Sequence, residues 1–401
     1  MVGFKIVVEM THPQEGAETI VKYLREKLFI AAAAAVLLSP LLLAGTDGRF
    51  AFHGVENKKE FPQITADSLL SGQAQTAFEE YVQQNLPGKP FMVRLRNEIT
   101  FSLLGTVSNN NYSMNRDRNL FSWENVSYYL QYFAPVSEEG AGELVGKLER
   151  LEALLEKQGK QLYLFITPCK VRYMEDELPW VDKVMAPERQ DGNYERLTAA
   201  LLGSGLKYFD SIAYMEEHRQ EFDSRVPLFY RTGLHWSVYA GNVVGAAFGD
   251  FLEEKSGYNL PEMEVAAKPC EDPVYPDADS FEVFNLLQKP YDSYYEPVFT
   301  VTDETTDAPG MLCRGGSFMG QSLAALTRNH YFGKNVSIEN KQVFTDEFAN
   351  TVGFDSYDQL DLKEYFKDID IVILEVNETA VSEMSFGFID YVLEHPELLE
   401  E

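Results

Sequence analysis

The sequence predicts an α/β domain, and three observations carry that expectation. An amphipathic helix over Gly142–Gln158, with Leu144, Leu148, Leu151 and Leu154 on one face, runs into the apolar strand Gln161–Thr167. The same alternation then recurs along the chain. Near the C-terminus, Ile369–Leu374 reads as a strand buried on both faces, ending at Glu375 and followed by a helix from about Ser382.

The elements between follow from local patterning. Gly192–Leu202 is helical, Leu206–Asp210 is a short strand ending in a carboxylate, and Ser237–Glu254 is a long helix. Residues 255–309 break the rhythm, with Pro261, Pro269, Pro273, Pro276, Pro290 and Pro297 falling among Tyr and Asp, and read as an insertion. Met311–Arg314 is a strand, Gly315-Gly316 a tight turn, and Ser317 opens a helix through Leu326. Before the domain, Ala66–Gln84 and Phe91–Leu104 carry apolar residues at helical spacing, separated by the breaker Pro87-Gly88.

Composition narrows the class. The 401 residues carry a net charge of −29, from 34 Lys plus Arg against 63 Asp plus Glu, with 45% hydrophobic residues. Such a chain can bury a large core, and its carboxylates repel phosphate backbones, so nucleic acid is not an expected partner. Cys169, Cys270 and Cys313 lack the spacing of a zinc site, and at most one disulfide is possible.

Leu28–Gly45 is an uncharged stretch of 18 residues, preceded by Lys22, Arg25 and Lys27. It reads as a transmembrane signal-anchor, with residues 1–27 cytoplasmic, a stem with two helices over 46–118, and the main domain over 119–401 outside the cell. Cleavage as a signal peptide is the alternative. Four basic and four acidic residues precede position 46, so the whole −29 belongs to the exported part.

Two segments carry chemistry. In Met311–Leu323 a strand meets Gly-Gly-Ser and then a helix, which places Ser317 at a strand's carboxyl end beside unpaired helical N–H groups, as a nucleophile requires. The plain alternative is an N-cap serine. In Tyr230–Gly241, His235 sits in a loop before a helix and suits a general base. His330 is its one competitor; the other histidines fall in the N-terminal segment, the stem or solvated helical stretches.

Taken together, Ser317 in GGSF, His235 in TGLHW, the strand-end segment Thr167–Pro179, Ile373–Glu378, Phe78–Gly88 and Asn119-Leu120-Phe121 resemble one family. It is the alginate O-acetyltransferase J/X group of SGNH-hydrolase-like proteins, with its DHHW-type relatives. The resemblance covers Phe78 to the C-terminus and implies a three-layer α/β/α sandwich with permuted motif order, His before Ser. It implies a membrane-anchored O-acetyltransferase of an exported or cell-wall polysaccharide, with Ser317 as nucleophile and His235 as base. The acetyl donor is then a multipass membrane-bound O-acyltransferase partner, and no metal or cofactor is called for.

Two positions depart from the family's pattern. The Asp usually found two residues before the His is Gly233, and the Asp before the Ser is Gly316. Asp210 is expected to orient His235, with Glu375 and Asp223 as alternatives; Lys170, Arg314, Trp236 and Gly316 are the expected substrate contacts. The missing acid keeps two other functions open, a carbohydrate acetyl esterase and a non-catalytic glycan-binding or scaffold subunit.

Overall fold

The computed structural model describes residues 13–43, 45, 49–53, 58–302, 306–345 and 350–400, without the side chains of residues 13–20 and Leu41. The chain divides into two compact units, one of residues 1–99 with Asn285–Leu287, the other of residues 100–284 and 288–401.

In the first unit a helix covers Pro13–Leu42, with Pro40 inside it. The expected span over 28–45 falls largely within this helix, but among the described residues no helix is long and apolar enough to cross a membrane. Residues 1–12 of the expected cytoplasmic segment lie outside the described residues. The single helix expected over Ala66–Gln84 is two, Ala66–Leu70 and Gln73–Asn85, because Gly72 between them adopts φ 77 and ends the first. The next helix is Lys89–Ser102.

In the second unit, the described residues form a seven-stranded mixed sheet. Its strands are β1 (Gln161–Thr167), β2 (Tyr208–Asp210), β3 (Met311–Gly315), β4 (Asn335–Glu339), β5 (Gln342–Thr345), β6 (Asn350–Gly353) and β7 (Ile371–Asn377). Their order is β6-β5-β4-β3-β7-β1-β2, parallel from β4 to β2 and antiparallel at β5 and β6.

Helices cover both faces: α1 (Glu138–Lys157), α2 (Asn193–Leu201), α3 (Ser211–Glu217), α4 (Val238–Ser256), α5 (Met319–Arg328) and α6 (Phe388–Glu394). The period of two in the strands decides which face each side chain feeds. Leu162, Leu164 and Ile166 of β1 join Leu312, Leu374 and the apolar stripes of α1, α2 and α6 in one core. The alternate residue Phe165 faces the other way, edge-on to Phe248 of α4 at 4.6 Å and to Trp236 at 6.4 Å. This is a three-layer α/β/α arrangement.

The two-sided burial explains why β1 and β7 are continuous apolar runs. The strand β7 lies between β1 and β3, so the order of the sheet reverses there, and loops leaving the carboxyl ends of these three strands converge. The expected insertion is a hairpin, Met263–Cys270 paired antiparallel with Tyr294–Val301, with a short helix Asp279–Val283 between its strands.

Candidate active site

Ser317 leaves β3 two residues after the strand ends and just before α5, on an exposed turn. The turn is shaped by the glycines. A Cβ on Gly315 would lie 2.6 Å from Glu375 Cβ, so only glycine lets the buried Glu375 side chain sit beneath the turn. Gly316 donates its N–H to Glu375 Oε2 at 2.7 Å, and Thr167 Oγ1 donates to Glu375 Oε1. The expected role of Gly316 is therefore corrected: its N–H is committed to Glu375. In the first turn of α5, the Gly320 N–H is given to the Ser317 carbonyl at 3.2 Å.

His235 precedes α4, whose N-cap Ser237 accepts from the Ala240 N–H at 3.1 Å. Its Nε2 is 2.7 Å from Ser317 Oγ, across 82 residues of sequence. Its Nδ1 is 2.6 Å from Asp279 Oδ2. The acid partner is thus Asp279, from the insertion, and not Asp210. The Asp210 carboxylate caps α3 through the Ile212 and Ala213 N–H groups, both at 3.0 Å, and accepts the Tyr194 hydroxyl at 2.8 Å. Of the alternatives, Asp223 pairs with Arg225 and Glu375 holds the serine turn.

Asp279 is fixed as an ionised acceptor. Burial pushes its carboxyl up, but the hydrogen bond and charge of His235 and the N–H groups of Leu234 and Ser280 outweigh burial and hold it below its ordinary value. The same segment clasps the histidine loop on both sides. Asp277 Oδ1 accepts from Val238 N–H at 2.8 Å, Thr232 Oγ1 donates to the Asp277 carbonyl at 3.2 Å, and Phe281 N–H donates to the Thr232 carbonyl at 3.0 Å. Gly233 belongs to this fit, because a Cβ there would meet the Asp277 carbonyl oxygen at 2.7 Å. An aspartate at 233 has no room.

The other expected contacts are buried. Trp236 is fully buried, its Nε1–H given to Gln321 Oε1 at 2.9 Å, so it offers no face to a sugar. Arg314, also buried, donates to the carbonyls of Gly315, Ile338 and Asn340 and to the Tyr357 hydroxyl, which ties down the end of β3. Lys170 is 1% exposed and does not reach solvent.

Sequence reasoning missed Asp279 and Glu339. Asp279 stands 44 residues from His235 in a Pro-rich stretch; the two closely spaced carboxylates of Asp277-Ala278-Asp279 were the one local signal. Glu339, at the end of β4, has Oε1 3.5 Å from where a Cβ on Gly320 in the first turn of α5 would lie.

A hydroxyl bonded to an imidazole whose far nitrogen meets a buried carboxylate can lose its proton to that imidazole and attack an acyl carbon. Placed at the carboxyl ends of a mixed sheet between helical layers, it defines an SGNH-hydrolase-like α/β protein. The chain belongs to the family described as "SGNH hydrolase-like domain, acetyltransferase AlgX", whose sequence model matches residues 118–318. No curated protein sequence matches the chain.

Among solved structures it is similar to the O-acetyltransferase domain of Pseudomonas putida AlgJ, at 18% identity over 68% of this chain and 92% of that one, with a TM-score of 0.41. It is also similar to Pseudomonas aeruginosa AlgX, at 14% identity over 70% and 67%, with a TM-score of 0.43. Bacillus cereus PatB1 is similar at 10% identity over 63% and 93%, with a TM-score of 0.39.

Burial raises the Glu339 carboxyl to about 7, a rise that the Ser337 hydroxyl opposes and Glu375 adds to. A carboxyl raised on folding stabilises the protonated form, so its favourable contribution is complete below about pH 4 and is lost as pH rises through about 7. Glu339→Gln is therefore expected to raise the thermal midpoint at pH 8 by roughly 2–4 °C, the equivalent of about 1 kcal/mol, and to change it little near pH 4. Thermal melts at the two pH values check this.

Proposed function

We propose that this chain is an extracytoplasmic O-acetyltransferase that carries an acetyl group on Ser317 and passes it to a hydroxyl of an exported or cell-wall polysaccharide. The observation that carries the proposal is the hydrogen-bonded series Ser317–His235–Asp279, and membership of an acetyltransferase family supports it.

In the first half-reaction His235 Nε2 takes the Ser317 proton while Oγ bonds to the donor's acyl carbon. The tetrahedral oxyanion faces the start of α5, and its collapse expels the donor's leaving group, which takes the proton from His235. In the second half-reaction His235 takes the proton of a sugar hydroxyl, the sugar oxygen bonds to the acyl carbon, and Ser317 leaves and recovers its proton. Asp279 holds the imidazole tautomer and offsets its charge in both. The acceptor is neutral or cationic, since a surface of net charge −29 repels an anionic polymer.

The donor is a multipass acyltransferase in the same membrane. A serine that stores acetyl suits a cofactor made on one side of a bilayer and an acceptor on the other. Attachment through the charge-free stretch 28–45, behind Lys22, Arg25 and Lys27, places the serine outside the cell. Protease added to intact cells is then expected to digest the domain and leave a short membrane-bound N-terminal fragment; a domain protected until lysis argues against export.

The chain from Arg49 onward, incubated with p-nitrophenyl acetate, is expected to release p-nitrophenol and to carry an acetyl group on Ser317 by mass spectrometry. With an oligosaccharide present, acetylated sugar marks a transferase, whereas free acetate alone marks an esterase. Neither release nor adduct, with Ser317→Ala matching the parent in polymer acetylation, rejects both and leaves a binding subunit. Asp279→Asn is expected to lower kcat by on the order of 10^3-fold at neutral pH. Asp210→Asn, which keeps the helix cap, is expected to hold the parental rate.

A further inference from the structure

Lys170 follows β1 and is buried to 1% exposure, yet among the described residues no carboxylate touches its amine. Nζ donates instead to four backbone carbonyls: Leu120 at 2.7 Å, Tyr230 at 2.7 Å, Arg231 at 3.2 Å and Gly233 at 2.8 Å. Three of the four belong to the turn Tyr230–Gly233, which ends two residues before His235. The face of Phe121 closes the site, its ring centroid 5.1 Å from Nζ.

An isolated buried ammonium is costly, and it persists only where its hydrogens are all accepted. Carbonyl oxygens brought together around one point repel one another, so the cation and the turn stabilise each other. We propose that Lys170 is a positioning residue for the catalytic histidine: its ammonium gathers the carbonyls of the Tyr230–Gly233 turn and so sets the height at which His235 meets Ser317 and Asp279. It acts through the loop and touches no substrate. The proposal rests on the acyl-transfer account of the same site.

Charge on the amine is the essential property. A neutral amine has two hydrogens and a lone pair to offer to four carbonyl oxygens, and the lone pair repels them. Burial lowers the Lys170 pKa to about 7, opposed by the charges of Asp279, Asp292 and Glu177, while Arg231 adds to the lowering. As pH rises through that value the turn loses its clamp. The alkaline limb of activity therefore belongs to Lys170.

Lys170→Met is expected to reduce kcat for p-nitrophenyl acetate by about 10–100-fold with KM nearly unchanged, since small displacements of a reacting group cost that much. It should also abolish the low-field proton resonance of the His235 Nδ1–H hydrogen bond to Asp279. Glu177→Gln keeps an acceptor oxygen for Asn119, which donates to Glu177 Oε2 at 2.7 Å, and removes one charge that keeps Lys170 protonated. Its alkaline limb is expected to move down by a few tenths of a pH unit, with the acid limb in place.

Parental rate and resonance in Lys170→Met, or an unmoved alkaline limb in Glu177→Gln, overturns the proposal. If Lys170→Met does not fold, the Glu177→Gln profile decides alone. A parent with no turnover and no adduct on Ser317, whose resonance nonetheless vanishes in Lys170→Met, sinks the enzymatic account and leaves the positioning role standing.

Discussion

The 2.6 Å hydrogen bond between His235 Nδ1 and Asp279 Oδ2 joins two segments that the chain separates by 44 residues, and the rest of the site is arranged so that this contact can exist. A buried carboxylate left without partners costs several kcal/mol, more than one charge-assisted bond of about 1.5–3 kcal/mol returns. The Leu234 and Ser280 N–H groups, at 2.8 and 2.6 Å, close the gap by satisfying the second oxygen. The loop before α4 and the segment from Asp277 to Phe281 therefore stabilise one another. Asp277, whose carboxyl burial raises to about 8, shows what that packing tolerates: Oδ1 accepts the Val238 N–H and Oδ2 has no partner among the described residues.

Buried charge recurs at every strand end that feeds the site. After β1, Cys169 N–H and Arg172 Nε both donate to Glu378 at 2.7 Å, just past β7. At the end of β3, Arg314 collects three carbonyls, and Glu375 of β7 holds Gly316. Lys170 collects the carbonyls of the histidine loop. None of these groups contributes much net stability, because desolvation consumes most of what the bonds return. What they give is geometry: a loop whose carbonyls converge on a cation has few alternative conformations, and a triad needs its atoms placed to within a fraction of an ångström.

The layered fold was legible in the sequence because burial imposes a period. β1 is found at the expected residues, and α1, α2, α4 and β7 lie within a few residues of theirs, since each presents a continuous apolar run or a single apolar stripe. The short strands β4, β5 and β6 were not, for they are only five, four and four residues long and β6 is exposed throughout. Ser317 and His235 were legible because their chemistry depends on local context, a strand-to-turn step and a loop before a helix. Asp279 was not, because the identity of a triad acid depends only on where its carboxylate ends up in space. The insertion looked irregular by composition, and its order comes from pairing Met263–Cys270 with Tyr294–Val301, a non-local event.

The two glycines that interrupt the expected pattern have a common physical origin. At 233 a side chain is excluded by the Asp277 carbonyl, and the carboxylate that orients the histidine comes from Asp279 two residues further along that segment. At 316 the backbone N–H faces Glu375 Oε2, which lies 3.5 Å from where a Cβ would stand, so an aspartate there would set a second carboxylate against a buried one. In both places negative charge reaches the site from a distant segment. Like charges about 3.5 Å apart in a desolvated site repel by several kcal/mol at an effective dielectric of about 20, so the buried Glu375 disfavours an acid at 316. The glycines at 233 and 316 are thus accounted for by the Asp277 carbonyl and the Glu375 carboxylate packed against them.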